Sequence, residues 1–278
     1  MIEIIFAILA AISDGTKDFF NRVVMIKEDP YVYGFIQNVI ATLLFIPLFL
    51  SVKFPTNNIV YLFILLSALA WVGIAIIGNY SYKYTEVSLR APISQIRIII
   101  LLILSMLFLS EKLTLNKGIG TLLIFIGLFV LRFKGGKFDI KNKGIQLTVL
   151  TACLVALAAI FNKIALHYTV PEFQGFLIYL IPTVILFFFL KGKKKKFRSL
   201  FKNQWKIVLF GSFLGAAFTY LSLKAYALAD VSTIFPIIKT SALITVLLGI
   251  IFLKEKQILR KIIATTIVLI GIIFIYSI

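Results

Sequence analysis

A chain of 278 residues in which 61% of the side chains are hydrophobic and only 14% charged lacks the polar surface to clothe a water-soluble body. This excludes an ordinary soluble enzyme, a disordered chain and a small disulfide-stapled module. One cysteine and one histidine leave no material for a disulfide or for a Cys- or His-based metal site, and no metal or other cofactor is expected. The formal charge of +18 has two readings. In a soluble chain it would suggest nucleic acid, and in a membrane protein it marks loops beside an anionic leaflet.

Apolar runs near 20 residues follow one another along the chain. They fall at about 3–26, 31–52, 59–82, 87–109, 113–131, 144–167, 171–190, 206–227, 231–253 and 258–277. Each is long enough to cross a hydrocarbon core of about 30 Å. Their continuous Ile, Leu, Phe and Val do not alternate with period two, so they are expected as helices and not as barrel strands. The longer connections, 132–143 and 190–205, are Lys-rich and are expected as loops.

The two halves resemble each other. Slid by 144 residues, Tyr82, Val87-Ser88 and Pro92-Ile93 fall on Tyr226, Val231-Ser232 and Pro236-Ile237, and Glu111-Lys112 and Gly127 fall on Glu255-Lys256 and Gly271. Slid by 141, Phe20-Asn21-Arg22 falls on Phe161-Asn162-Lys163, and Gly34-Phe35 on Gly175-Phe176. Matching Pro, Gly, Glu and Ser cannot come from apolar bias. The chain therefore divides into a first five-helix repeat (1–134), a basic linker (135–141) and a second five-helix repeat (142–278). An odd number of spans inverts the second repeat, a design found in secondary transporters. Loops after odd-numbered helices hold most of the Lys and Arg, which predicts that they face the cytoplasm, with both termini outside, in the cell (inner or plasma) membrane.

The paired segments Leu109-Ser-Glu111-Lys112-Leu113 and Leu253-Lys-Glu255-Lys256, the downstream Gly127 and Gly271, and the Ser/Pro segments Val87-Ser88…Pro92 and Val231-Ser232…Pro236 resemble an EamA-type transporter of the drug/metabolite transporter superfamily. The resemblance covers nearly the whole chain. It implies an all-α membrane fold of ten transmembrane helices in two inverted repeats, and export of amino acids or other small metabolites. Ser13-Asp14-Gly15 stands where the family usually has Trp-Gly in helix 1. Small four-helix relatives carry the coupled proton on an acid of the first helix, which implies Asp14 or Asp18 here.

Charges inside the spans are the residues that need a reason. Each costs roughly 2.5–3.5 kcal/mol at a helix centre, so Asp14, Lys17, Asp18, Arg97 and Lys239 should face the protein interior or a wet cavity. Asp14, Lys17, Asp18 and Asn21 share one helix face by their three- and four-residue spacing, as a substrate or coupling site or as a self-neutralising cluster. Arg97 with Ser94, and Lys239 with Ser232, lie near Pro92 and Pro236, where a missing amide frees a carbonyl and breaks the helix. Arg97 and Lys239 are expected as substrate anchors, with Asn21, Ser94, Ser232, Tyr82 and Tyr226 as further contacts; pairing of the cations with Asp14 and Asp18 is the alternative. Lys163 and Lys224 should snorkel to the interface, Glu111 and Glu255 should cap helices 5 and 10, and Gly211-x3-Gly215 should form a helix–helix seam.

The expected function is secondary active transport, as exporter or exchanger, of a small polar metabolite carrying a carboxylate or phosphate, such as an amino acid. A non-transporting membrane scaffold or sensor, or a membrane-embedded enzyme on a lipid-linked substrate, are the alternatives; no catalytic residues stand out. The expected partners are the small-molecule substrate, coupled protons and the lipid bilayer, with no nucleic acid, in a monomer or homodimer.

Overall fold

The computed structural model describes residues 1–25, 28–84, 93–132, 142–241, 243–244, 248 and 258–276, and among these the chain is all α-helical, with no strand. Helix α1 spans Ile2–Met25 and α2 Pro30–Leu50. Asp29 caps α2 by accepting from the amides of Tyr31 (3.0 Å) and Val32 (3.3 Å), and Pro30 sits where a helix needs no amide donor. Helix α3 (Ile59–Gly73) passes through a π-helical segment (Ile74–Gly78) into α4 (Asn79–Tyr84). There follow α5 (Ile96–Leu109), α6 (Leu115–Arg132), α7 (Lys143–Leu166), α8 (Pro171–Phe188), α9 (Lys194–Leu228), α10 (Val231–Lys239) and α11 (Ile258–Tyr276). Asn142 caps α7 through the amide of Gly144 (2.8 Å), and Pro171 opens α8 as Pro30 opens α2.

Among the described residues, five stretches are both long and apolar enough to cross a bilayer: Tyr31–Leu50, Ile59–Gly78, Lys143–Leu166, Pro171–Phe188 and Gln204–Leu228. The chain is a multi-pass membrane protein. Helix α1 has the length, with 24 residues, but carries Asp14, Lys17 and Asp18 within it. Helices α5, α6 and α11 are shorter apolar elements over the described residues.

The structure departs from the expected elements in three places. The run 59–82 is not one regular helix, because the π segment widens it where it meets the cavity described below. The stretch 190–205 is not a loop. Only a short turn around Gly192, which adopts a positive φ of 79°, separates α8 from α9. No Gly or Pro interrupts 193–210, and its Lys, Arg, Leu and Gln favour helix, so α9 runs for 35 residues. At 1.5 Å per residue that is about 50 Å, well beyond the hydrocarbon thickness. Finally, the run 231–253 is described as a helix only to Lys239. Pro236 lies inside that helix, and Pro92, its partner in the first half, lies outside the described residues.

The helices pair across the two halves. The most extensive packing joins α6 to α11, α1 to α9, α2 to α8 and α3 to α7. Exchanging the halves maps this set of pairs onto itself, as a pseudo-twofold axis requires. The hydroxyls of Thr42 and Thr183, equivalent residues 141 apart, meet at 3.5 Å and mark where that axis passes between α2 and α8. Each also donates to the carbonyl four residues back, Asn38 and Tyr179, at 2.8 Å. Helices α6 and α11 cross at Gly120 and Gly271: a Cβ on either glycine would lie within 3 Å of the other's carbonyl oxygen. Small residues admit such an approach, and dispersion then holds the helices where lipid offers no hydrophobic drive.

The surface distribution is inverted relative to a soluble protein. Leu43, Leu107, Phe187, Phe188 and Phe213 are exposed, whereas Ser67, Gln95, Ser105, Thr148 and Gln174 are buried. Polar groups are thus gathered inside, where Ser67 donates to Asn162 and Ser105 and Thr148 donate to carbonyls of their own helices.

Asp29 also ties the halves together at one end, through Lys193 (3.0 Å) and Lys196 (2.6 Å). Burial pushes its carboxyl up, but the hydrogen bonds from Lys196 and Lys193 outweigh this and hold it at about 2, against an ordinary 3.8. A lowered pKa means the stabilisation is complete above about pH 4 and is lost as pH falls through 2. Asp29→Asn, which keeps the cap, should therefore lower stability by about 1–2 kcal/mol at neutral pH and by progressively less toward pH 2. Unfolding midpoints of the two proteins in detergent across pH 2–7 (~five points) test this.

Candidate functional site

The charged face of α1 is placed by one glycine. A Cβ on Gly15 would collide with the backbone carbonyl of Ser241 and with Ile244, so only glycine lets α1 approach the end of α10 this closely. That approach brings Asp14 to the second half. Its Oδ2 accepts from Lys239 Nζ (3.3 Å) and from Ser241 Oγ (3.0 Å), and its Oδ1 accepts from Lys17 Nζ (2.6 Å). Asp14 and Lys239 are each 5% exposed. Lys239 lies over the rings of Phe218 (5.2 Å) and Phe235 (5.3 Å), and Lys17 over Phe218 (4.5 Å). Aromatic faces and one shared carboxylate thus solvate two ammonium groups inside the bundle.

These groups line a cavity of about 530 Å³. Asp14, Lys17, Asp18 and Asn21 from α1, Ser94 and Arg97 from around the start of α5, and Lys239 from α10 all reach it. The π segment contributes Ile74, Ala75 and Gly78, in keeping with the frequent use of π segments at functional sites. Asp18, with a side chain 44% exposed, shows that the cavity reaches solvent. Its lining comes from the C-terminal half of α1, the first half of α2 and the first turns of α7, so it lies toward the end where α1 finishes and α2 and α7 begin. Three cations (Lys17, Arg97, Lys239) face two carboxylates (Asp14, Asp18), which leaves one positive charge in excess. Arg97 stands within electrostatic range of both Asp14 and Lys239.

Other expected site residues are placed differently. Tyr226 lines a small side pocket that also touches Lys239, Asn162 and Ser222. Ser232 is buried at the start of α10, away from the cavity, and its Oγ has no hydrogen-bond partner. Its amide explains its position, as described next. The side chain of Tyr82 lies outside the described residues. Gly211 and Gly215 do not form a helix–helix seam. Cβ atoms there would meet side chains, the Tyr33 hydroxyl at 3.4 Å and Lys17 Cδ at 3.6 Å, and Gly215 forms part of the cavity wall. Both lysines expected to snorkel are bonded within the protein: Lys163 Nζ donates to the carbonyls of Tyr226 (2.6 Å) and Ala229 (3.0 Å), and Lys224 pairs with Glu172 (2.7 Å).

At the opposite end, contacts join the two halves. Glu111 does not cap the helix that follows it. Its two carboxylate oxygens accept from the amides of Val231 (2.8 Å) and Ser232 (3.0 Å), capping α10 from the other repeat. A carboxylate there satisfies donors that a helix start leaves unpaired and complements the positive end of the dipole. Lys117 pairs with Asp230 on the same connection. Glu255, the counterpart of Glu111, lies outside the described residues.

The cavity also draws on residues that the charge pattern did not single out. Tyr33 and Gln37 both hydrogen-bond Asn21, and the Tyr179 hydroxyl joins Gly215 O (2.8 Å) and Thr219 (2.7 Å). Gln37 was findable, since with Asn38 it forms an amide pair in an apolar run. Tyr33 and Tyr179 were not, since tyrosines at such positions more often anchor at interfaces.

Comparison with known proteins accords with this architecture. The model of the EamA-like transporter family matches residues 1–133 and again 142–277. The chain belongs to the EamA-like transporter family. An uncharacterised protein of Methanocaldococcus jannaschii is 31% identical over 130 residues, which is 46% of this chain and 94% of that protein, so that relative is about one repeat long. A solved crystal structure aligns with a TM-score of 0.79 at 13% identity, covering 98% of this chain and 95% of the other. At that identity the match speaks for the fold alone. Within this twofold family architecture the charged face of α1 has no charged counterpart on α7. Asp14, Lys17 and Asp18 align, at the 141-residue offset, with Val155, Ala158 and Ala159.

Asp14 holds two cations, so its loss should be worse than the loss of either. Asp14→Asn should destabilise by about 3–5 kcal/mol, Lys239→Met by less because Asp14 keeps Lys17, and the double variant should recover part of the Asp14 loss. Thermal unfolding of the four proteins in detergent gives the cycle.

Proposed function

We propose that this chain is a secondary active transporter, an exporter or exchanger, of a small solute bearing a carboxylate or phosphate, amino acids included. It works by alternating access between two inverted five-helix repeats that together make ten membrane spans. The observation that carries this reading is Lys239, a buried cation facing a wet cavity with an excess positive charge, held by a carboxylate that a second cation also holds. A solute anion entering the cavity can take Asp14's place on Lys239 while Asp14 stays paired with Lys17, so no charge is stranded. Arg97 offers a planar fork for a second oxygen pair, and Lys239 a point charge. Asn21, Ser94, Tyr82 and Tyr226 supply hydrogen bonds to the remainder of the solute.

The arrangement of contacts supports one-sided access. On this reading the cavity opens at the Lys-rich end, and the contacts of Glu111 and Lys117 with the start of α10 close the opposite end. By the distribution of basic residues, the open end faces the cytoplasm and both termini lie outside. Transport then requires the Glu111 and Lys117 contacts to part while the cytoplasmic end closes.

The experiment is uptake into proteoliposomes, with solutes first selected by thermal shift from amino acids, organic acids and sugar phosphates. Lys239→Gln and Arg97→Gln should each reduce flux by about 10- to 100-fold, the worth of one charged hydrogen bond, with insertion unchanged; near-normal uptake refutes the anchors. Proton coupling is proposed to run through Asp14 or Asp18, the carboxylates in the cavity. Asp14→Asn or Asp18→Asn should remove the dependence of flux on a pH gradient, and an unaltered dependence in both refutes it.

A further inference from the structure

The N-terminal third of α9 precedes Gln204–Leu228, the part of the helix long and apolar enough to cross a bilayer, and lines no part of the cavity. Its side chains are sorted by row. Leu200 is buried, and Phe197 packs on the same cluster and on Phe35. Phe201 (55% exposed), Trp205 (50%), Leu209 (49%) and Phe213 (54%) recur every four residues, one continuous outward stripe running from the basic segment into the apolar part of the helix. Beside it run Lys195, Arg198, Lys202 and Lys206, all exposed, again at three- and four-residue spacing. Lys193 and Lys196 are taken up by Asp29. Lys194, Lys195, Arg198 and Lys202 have no acidic partner among the described residues.

The two rows are matched in height. From Phe213 to Lys202 is eleven residues, about 16 Å along the helix, close to half of a 30 Å hydrocarbon core. An acyl chain lying along Phe213, Leu209 and Trp205 would therefore present its phosphate beside Lys202 and Arg198. The exposed Phe187 and Phe188, at the end of α8 across the short turn, extend the aromatic surface at that same level, where amphipathic and aromatic side chains settle.

We propose that the basic segment of α9 is a binding site for an anionic phospholipid of the adjoining leaflet, with acyl chains on the Trp205–Phe213 part of the stripe and the phosphate held by Arg198 and Lys202, backed by Lys194 and Lys195. This assignment is independent of what the cavity carries. A zwitterionic lipid fits the stripe equally but carries its own cation and gains nothing from the basic row.

Trp205 reports on the site directly. The chain has two tryptophans, so Trp71→Phe leaves Trp205 as the sole emitter. Purified Trp71→Phe protein in mixed micelles is titrated with brominated phosphatidylglycerol or brominated phosphatidylcholine, and quenching is followed. The anionic lipid should quench at a mole fraction at least about tenfold lower, a modest demand for several basic residues near a surface. Adding Lys194→Gln, Lys195→Gln, Arg198→Gln and Lys202→Gln, which leaves the Asp29 contacts intact, should bring the two curves together. Raising the salt to about 0.5 M should also narrow the gap in the unsubstituted segment, because exposed charges are screened; this readout stands if the fourfold variant does not fold. Superimposed curves in the Trp71→Phe protein, or a preference that neither the substitutions nor salt reduces, would overturn the proposal.

Discussion

Everything distinctive in this molecule turns on one carboxylate, Asp14, kept at the centre of a membrane protein by two lysines. A lone charge in that position is costly, and a pair recovers the cost only when the geometry is close and the remaining lone pairs are met. Here the geometry is supplied by Gly15, which lets α1 touch the end of α10, and the remaining lone pair is met by Ser241. Lys239 is reached only because α10 ends there, one turn beyond Pro236. The charge cluster therefore depends on the helix crossing, and the crossing is useful only because of the charge cluster.

The scaffold is twofold while the chemistry is not. Thr42 against Thr183, and the exchange of helix pairs between halves, give the frame its symmetry. Equivalent asparagines have nonetheless gone separate ways. Asn21 faces the cavity with Tyr33 and Gln37, whereas Asn162 is buried, accepting from Ser67 (2.6 Å) and Gln174 (3.0 Å). One asparagine has become part of the cavity wall and the other an internal strut, although both repeats contribute to the cavity lining.

Much of this was legible in the sequence. Apolar runs of bilayer length, repeated Pro, Gly and Glu, and a polar face on helix 1 gave the class, the repeat and the α1 half of the cavity. The charges could be read because charge in lipid demands a reason, and the reason is local. What the sequence hid was contact between distant segments. Glu111 reads as a cap for its own helix, since capping is usually local, yet its amides belong to Val231 and Ser232, 120 and 121 residues away. Lys163 and Lys224 read as snorkelling side chains, because reach alone cannot reveal a carbonyl or carboxylate presented by a neighbouring helix. The π segment left no pattern at all.

Helix α9 joins two environments without a joint. No Gly or Pro separates its basic start from Trp205, and the helical ladder is continuous from Lys194 to Leu228. Such an element behaves as a stiff rod, so a tilt at its outer end is transmitted to Ser212, Gly215, Phe218 and Thr219, which wall the cavity 18 to 25 residues further on. The headgroup region and the binding chamber are in that sense mechanically in series. A force on one end of the rod would therefore be felt by the residues that line the cavity at the other.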